Sequence, residues 1–159
     1  MKSLIIYATK YGSAAEVARR IKNQLDGNTE LINVMTDPAP TPNHYDTVIL
    51  GGSIYMGKIQ KQLTNYINKN LEELKKKNVG LYICAGHPDK DYVLNEFRNA
   101  FPEDLYKHAL VKDTLGYVFN FEKLRFFDKL ILRAFKGDSV STSELYDDRI
   151  ASFSQAFNK

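Results

Sequence analysis

The run Ser3-Leu4-Ile5-Ile6-Tyr7-Ala8-Thr9-Lys10-Tyr11-Gly12-Ser13-Ala14-Ala15-Glu16-Val17-Ala18-Arg19-Arg20-Ile21 decides the fold. Ser3 to Ala8 is a continuous β-branched and aromatic stretch, the pattern of a strand buried on both faces. Ala14 to Leu25 then carries helical spacing: Val17, Ile21 and Leu25 recur every four residues, and Gly27-Asn28 ends the helix. Between strand and helix lies Thr9-Lys10-Tyr11-Gly12-Ser13-Ala14. Such a junction presents backbone N–H groups at a helix N-terminus, where a phosphate binds. Thr9 and Ser13 add hydroxyl donors, and Gly12 permits a sharp turn with close backbone approach. No Gly-Lys-Ser/Thr ending and no Gly-x-Gly-x-x-Gly occur, which favours a mononucleotide over a dinucleotide. The same residues also read as an ordinary strand-to-helix turn with Ser13 as N-cap.

Outward from this run the pattern keeps alternating. Glu30 to Val34 reads as a second strand, and Asp37-Pro38-Ala39-Pro40-Thr41-Pro42 as a proline-rich connection. Thr47 to Gly51 is a third buried strand, closed by Gly51-Gly52. Lys61 to Lys77 reads as a helix with Leu63, Ile67, Leu71 and Leu74 on one face. Val79 to Cys84 is a fourth strand, Asp91 to Ala100 a short helix, and Leu110 to Val118 a fifth strand. Phe121 to Phe135 reads as an apolar and basic helix, and Ser141-x-x-Glu144 as a capping box opening a last helix toward Phe157. Alternating strands and helices predict right-handed βαβ units: one α/β domain over residues 1–159, a doubly wound five-stranded parallel sheet of order 2-1-3-4-5, with an extra amphipathic helix after strand five. A ligand then sits beyond the carboxyl ends of the strands, at the switch point between the first and third.

Composition narrows the class. The chain has 159 residues, 43% hydrophobic and 26% charged, which suits a single globular core. Its longest apolar runs are about five residues, against the roughly 20 of a membrane span. The apolar part of the N-terminus is short for a signal peptide. The lone Cys84 excludes an intrachain disulfide and argues against a thiolate zinc site, and His44, His87 and His108 are too far apart for a helical metal pair. A cytoplasmic protein is expected. The net charge of +3 calls for no nucleic acid but eases contact with an anionic membrane.

Residues 5–21 resemble the flavodoxin signature at the paired aliphatics, Tyr7, Thr9, Gly12, Ala18 and Ile21. The chain departs from it at Ala14, where flavodoxins usually carry threonine, and Ala14→Thr is expected to restore a hydroxyl contact. The resemblance implies a flavodoxin-like fold with FMN as cofactor, its phosphate on Thr9, Lys10, Tyr11, Gly12, Ser13 and Ala14. It also implies that the loop after strand three, Ser53-Ile54-Tyr55-Met56-Gly57, borders the flavin ring, with Tyr55 as a flat face; Tyr55 also reads as a partly buried loop aromatic. In the loop after strand four, Ala85 and Gly86 let backbone N–H groups reach the ring carbonyls. His87 is either a donor to the reduced flavin or an exposed loop histidine, and Cys84 a buried core thiol.

Gly51-Gly52-Ser53-Ile54-Tyr55-Met56-Gly57 is also similar to a Gly-Ala-Ser-Ile-x-x-Gly stretch of the menaquinone-dependent protoporphyrinogen IX dehydrogenase family. The segment from Leu115 to Arg133 resembles that family's insert after strand five, with Phe127-Asp128-Lys129 within it. The implied function is an FMN-dependent oxidoreductase in which the flavin accepts a hydride from substrate and a quinone or small-molecule partner reoxidises it. Arg125, Lys129, Arg133 and Lys136 share one helical face, and Leu124, Phe127, Ile131 and Phe135 another. That face pair suits either peripheral contact of residues 119–136 with the inner membrane face or plain packing on the domain. The alternatives are a flavodoxin-like electron carrier without a substrate of its own, against which the positive charge weighs, and a flavin-free interaction domain, which Ala14 alone favours.

Overall fold

The computed structural model describes residues 1–9, 12–55, 57–87, 89–119 and 142–158. Five strands build a parallel sheet: β1 (Lys2–Ala8), β2 (Asn28–Asn33), β3 (Thr47–Ser53), β4 (Asn78–Cys84) and β5 (Val111–Thr114), in the order β2-β1-β3-β4-β5. The helices are α1 (Ser13–Gln24), α2 (Lys61–Leu74), α3 (Lys90–Ala100), α4 (Glu103–His108) and α5 (Asp147–Gln155). The predicted strand order is therefore observed, and each element start falls within two residues of expectation up to α3.

The apolar runs are continuous because both faces of the sheet are covered. Leu4, Ile6, Ala8, Val48, Leu50, Leu81 and Ile83 point one way, onto Leu63 and Ile67 of α2 and Phe97 of α3. Ile5, Ile49 and Tyr82 point the other way, onto Val17, Ala18 and Ile21 of α1 and Ile150 and Phe153 of α5. The C-terminal half of helix α1 is tied to α5 and to the residues that follow it. Arg20 bonds Glu16 at 3.0 Å and reaches Asp147 at the start of α5. Asn158 donates to Gln24 O at 2.7 Å and accepts from Asp26 N at 2.9 Å.

Two expectations are corrected, and one helix is added. The fifth strand does not run from Leu110 to Val118: it stops at Thr114. Leu115 is fully buried, and Gly116 turns the chain at φ 104° into a separate ribbon. There β6 (Gly116–Phe119) pairs antiparallel with β7 (Thr142–Leu145). Consequently the Ser141-x-x-Glu144 pattern opens no helix. Thr142 to Leu145 are ladder partners of β6, and the last helix begins at Asp147, where Asp147 and Asp148 favourably face the positive end of the helix dipole. Helix α4 was not anticipated; Glu103 and Asp104 in its first turn and Lys107 and His108 in its last are its signal. The expected helix at Phe121 to Phe135, with Arg125, Lys129, Arg133 and Lys136, lies outside the described residues.

Candidate ligand site at the carboxyl edge of the sheet

Register fixes which loops meet. Ala8 lies opposite Gly52, and Ser53 opposite Cys84, so the loops after β1, β3 and β4 leave the sheet side by side. The order reverses between β1 and β3, which makes this edge the crevice of a doubly wound sheet.

At the β1–α1 junction Gly12 is the N-cap, with φ 99° and ψ −8°, a left-handed conformation that glycine adopts without strain. The N-cap is thus Gly12 and not Ser13, which is the first helical residue and is buried. Gly12 N–H donates to Thr9 Oγ1 at 2.8 Å, so the Thr9 hydroxyl keeps its proton for another acceptor. Glu16 N–H makes the first described bond of the helix, to Gly12 O at 3.0 Å; the N–H groups of the preceding turn point beyond the helix end. A Cβ built on Gly12 meets nothing within 4 Å among the described residues, so none of them fills the space in front of this turn. Ala14 contributes differently from the expectation. Its methyl is fully buried against α1 and α5 core residues, and only its backbone belongs to the loop. A threonine there would carry its hydroxyl into the core. Lys10 and Tyr11 lie outside the described residues.

The β3 loop is held from two sides. Ile54 N–H continues the sheet by donating to Cys84 O at 2.9 Å. The Gln60 side chain takes up both the N–H and the C=O of Ser53. Ser53 Oγ is buried and has no hydrogen-bond partner among the described residues. An orphaned hydroxyl at the ligand edge costs stability until something bonds it. Tyr55 and Lys58 exchange backbone hydrogen bonds at 2.9 and 3.1 Å, and Gly57 lies beside the Glu96 carboxylate of α3. Met56 lies outside the described residues.

After β4, Ala85 packs on the core and Gly86 is half-buried. His87 is engaged locally: its Nδ1 accepts from Asp89 N–H at 3.1 Å, and its ring stacks on Tyr92 at 4.2 Å. With Nδ1 as acceptor, the neutral ring carries its proton on Nε2. Asp89 caps α3 by accepting from Asp91 N–H and Tyr92 N–H, a role its place before a helical run signals. Cys84 is 2% exposed, and burial pushes its thiol far above the usual range, so it is an inert core group.

Two residues of this region escaped the sequence reading. Tyr82 is fully buried and donates to Ala14 O at 2.8 Å, and Gln60 braces Ser53. Neither carries a local pattern, since each acts across the sheet or loop. No group of three His, Cys, Asp or Glu side chains among the described residues could hold a metal ion, and no described helix is long and apolar enough to cross a membrane.

Solved structures share this architecture. Oxidised flavodoxin 1 from Bacillus cereus is 13% identical with a TM-score of 0.59, covering 99% of this chain and 97% of that one. A short-chain flavodoxin associated with a non-canonical PDU bacterial microcompartment is 14% identical with a TM-score of 0.61, covering 99% and 96%. Rubredoxin oxygen:oxidoreductase from Desulfovibrio gigas is 11% identical with a TM-score of 0.57, and the likeness spans 98% of this chain but 35% of that protein. No curated protein sequence matches the chain. The model of the flavodoxin domain matches residues 4–144. With the strand order and the open β1–α1 junction, that match places the chain in the flavodoxin domain family, whose cofactor is FMN.

Proposed function

We propose that the chain binds FMN at the carboxyl edge of its sheet and acts as an oxidoreductase of the quinone-linked protoporphyrinogen IX dehydrogenase type. The Gly12 junction carries the cofactor placement: an open, left-handed N-cap between the Thr9 hydroxyl and the first turn of α1. Here the N–H groups of residues 13–15 and the hydroxyls of Thr9 and Ser13 hold the phosphate. The ring lies between residues 53–57 and 85–87, with Tyr55 as its flat contact and Ser53 Oγ gaining in FMN the partner it lacks. Bound FMN supplies the hydride and electron chemistry. The chain orients it, and apolar Ile54 and Ala85 limit water at the ring.

The substrate reading rests on the Gly51–Gly57 stretch and on the sequence of residues 115–133. The β6–β7 ribbon supports it, because β6, which belongs to that stretch, lies against α1 and β4. The second reading, an electron carrier, is favoured by the likeness to flavodoxins along nearly their full length. Reconstitution with FMN and FAD, followed by porphyrinogen oxidation with a quinone acceptor, separates them. Tighter FMN binding and quinone-dependent turnover support the proposal. Bound flavin without turnover leaves the carrier, and equal or tighter FAD binding overturns the mononucleotide site.

A further inference from the structure

Tyr82 lies within β4 and is fully buried, two residues before the end of the strand. Its ring lies beneath β3. Its register partner there is Gly51, and a Cβ on Gly51 would stand 1.8 Å from Tyr82 Cζ. The absent side chain at position 51 is what lets the ring pass under one strand and reach past it. On the far side Phe153 of α5 meets it edge-on, with centroids 6.2 Å apart. The hydroxyl emerges at the start of α1 and donates to Ala14 O at 2.8 Å. Burial holds the phenol far above its usual range, so it stays a donor.

Ala14 O belongs to the same rigid peptide unit as Ala15 N–H. In a trans peptide the carbonyl and the N–H point in opposite directions. Fixing the carbonyl therefore fixes the aim of the N–H, which lies in the turn preceding the first helical bond, that of Glu16. A hydrogen bond to the carbonyl also polarises the amide and strengthens its N–H as a donor.

We propose that Tyr82 is a positioning residue for the phosphate end of the cofactor: through the Ala14–Ala15 peptide it aims and strengthens one N–H of the anion-binding turn. This rests on the reading that the turn after Gly12 holds the FMN phosphate. Gly51 is the second half of the device, because the phenol can reach α1 over β3 only where that strand lacks a side chain.

The test compares FMN with riboflavin, which has the same ring and no phosphate. Apoprotein is titrated with each, followed by flavin fluorescence, for the wild type and for Tyr82→Phe, well below the thermal midpoint of each. Tyr82→Phe keeps the ring and its packing. The expected result is about tenfold weaker FMN binding, the scale of a hydrogen bond to a charged group, with riboflavin affinity unchanged within twofold. A general packing defect would weaken both ligands alike and would overturn the proposal, as would an unchanged FMN-to-riboflavin ratio. A wild type that binds the two flavins equally removes the phosphate reading itself, and this inference with it. Gly51→Ala gives an independent arm. It should lower the same ratio, and a Gly51→Ala protein that keeps the full preference for FMN would count against the crossing.

Discussion

The Gln60 carboxamide closes on the Ser53 peptide from both ends, its Nε2 donating to Ser53 O at 3.0 Å and its Oε1 accepting from Ser53 N–H at 3.3 Å. A side chain thereby does what a neighbouring strand would do for the last residue of β3. It fixes the backbone from which Ile54 and Tyr55 depart while leaving the Ser53 hydroxyl without a partner among the described residues.

Gln60→Glu keeps the acceptor and removes the donor. A carboxylate then faces the Ser53 carbonyl. We expect a loss of about 1–2 kcal/mol in the apoprotein, read as a midpoint lowered by roughly 2–8 °C in thermal unfolding. An unshifted midpoint would show that the brace contributes nothing.

Ser53→Ala separates a ligand contact from a structural one. The hydroxyl it removes is buried and unbonded among the described residues, so the apoprotein should be as stable as the wild type or more so. FMN binding should weaken about fivefold to tenfold, the scale of one lost hydrogen bond. Loss of apo stability together with unchanged affinity would contradict both halves.

Ser13→Ala should weaken FMN by roughly 1.5–3 kcal/mol if its hydroxyl meets the phosphate. Ala14→Thr, which the family comparison in sequence favours as a tightening change, is expected to lower stability instead, because the methyl of Ala14 is fully buried and a hydroxyl there must be accommodated in the core. Isothermal titration of both variants, with their unfolding midpoints, decides the pair. Tighter binding by Ala14→Thr would mean that the turn opens to let the hydroxyl out.

The sheet was legible because its signal is local. Ile5, Val48 and Leu81 each sit in short runs whose apolar continuity implies two covered faces. What failed was the end of that logic: Leu110 to Val118 has the composition of one strand, but the left-handed turn at Gly116 divides it between two sheets. The Ser141 to Glu144 pattern failed for a related reason, since pairing with β6 outweighed a weak capping preference. In the site, the Gly12 turn was readable from its neighbours in sequence. Tyr82 and Gln60 were not, because Tyr82 meets Ala14 across 68 residues and Gln60 meets a backbone rather than a motif.

Asp113 offers a pH signature. Burial raises its carboxyl above the ordinary carboxylate range, opposed by Arg149 at 3.8 Å and by the Thr114 N–H it accepts at 2.8 Å. The folded state thus favours the protonated form. Stability from this group is full below the ordinary carboxylate value, about 3.9, and is lost as pH rises through the raised folded value. Asp113→Asn keeps an oxygen for Thr114 N–H and removes the charge. A gain below about 1 kcal/mol is expected at pH 7, given the partial exposure, fading as the pH approaches 4. Identical midpoints for the two proteins at pH 7 would refute it.

Replacing Arg125, Lys129 and Arg133 by glutamine tests whether the basic face expected from the sequence of residues 119–136 meets a membrane or solvent. Each positive charge near an anionic surface is worth about 1 kcal/mol. Sedimentation with phosphatidylserine vesicles should therefore fall sharply and lose its salt dependence, while FMN retention holds. Wild-type protein that ignores such vesicles would leave plain packing on the domain as the reading of that face.

Phe119 and Thr142 are ladder partners, so the chain leaves the ribbon and returns to it at points about 5 Å apart. Closure at that mouth is already secured, and each doubling of whatever is threaded through it adds only about 0.6 kcal/mol of closure entropy. The five-stranded sheet, its registers and the Gly12 turn sit upstream of the mouth and are indifferent to its contents. The entropic cost to the sheet of a longer or shorter segment between Phe119 and Thr142 is therefore small.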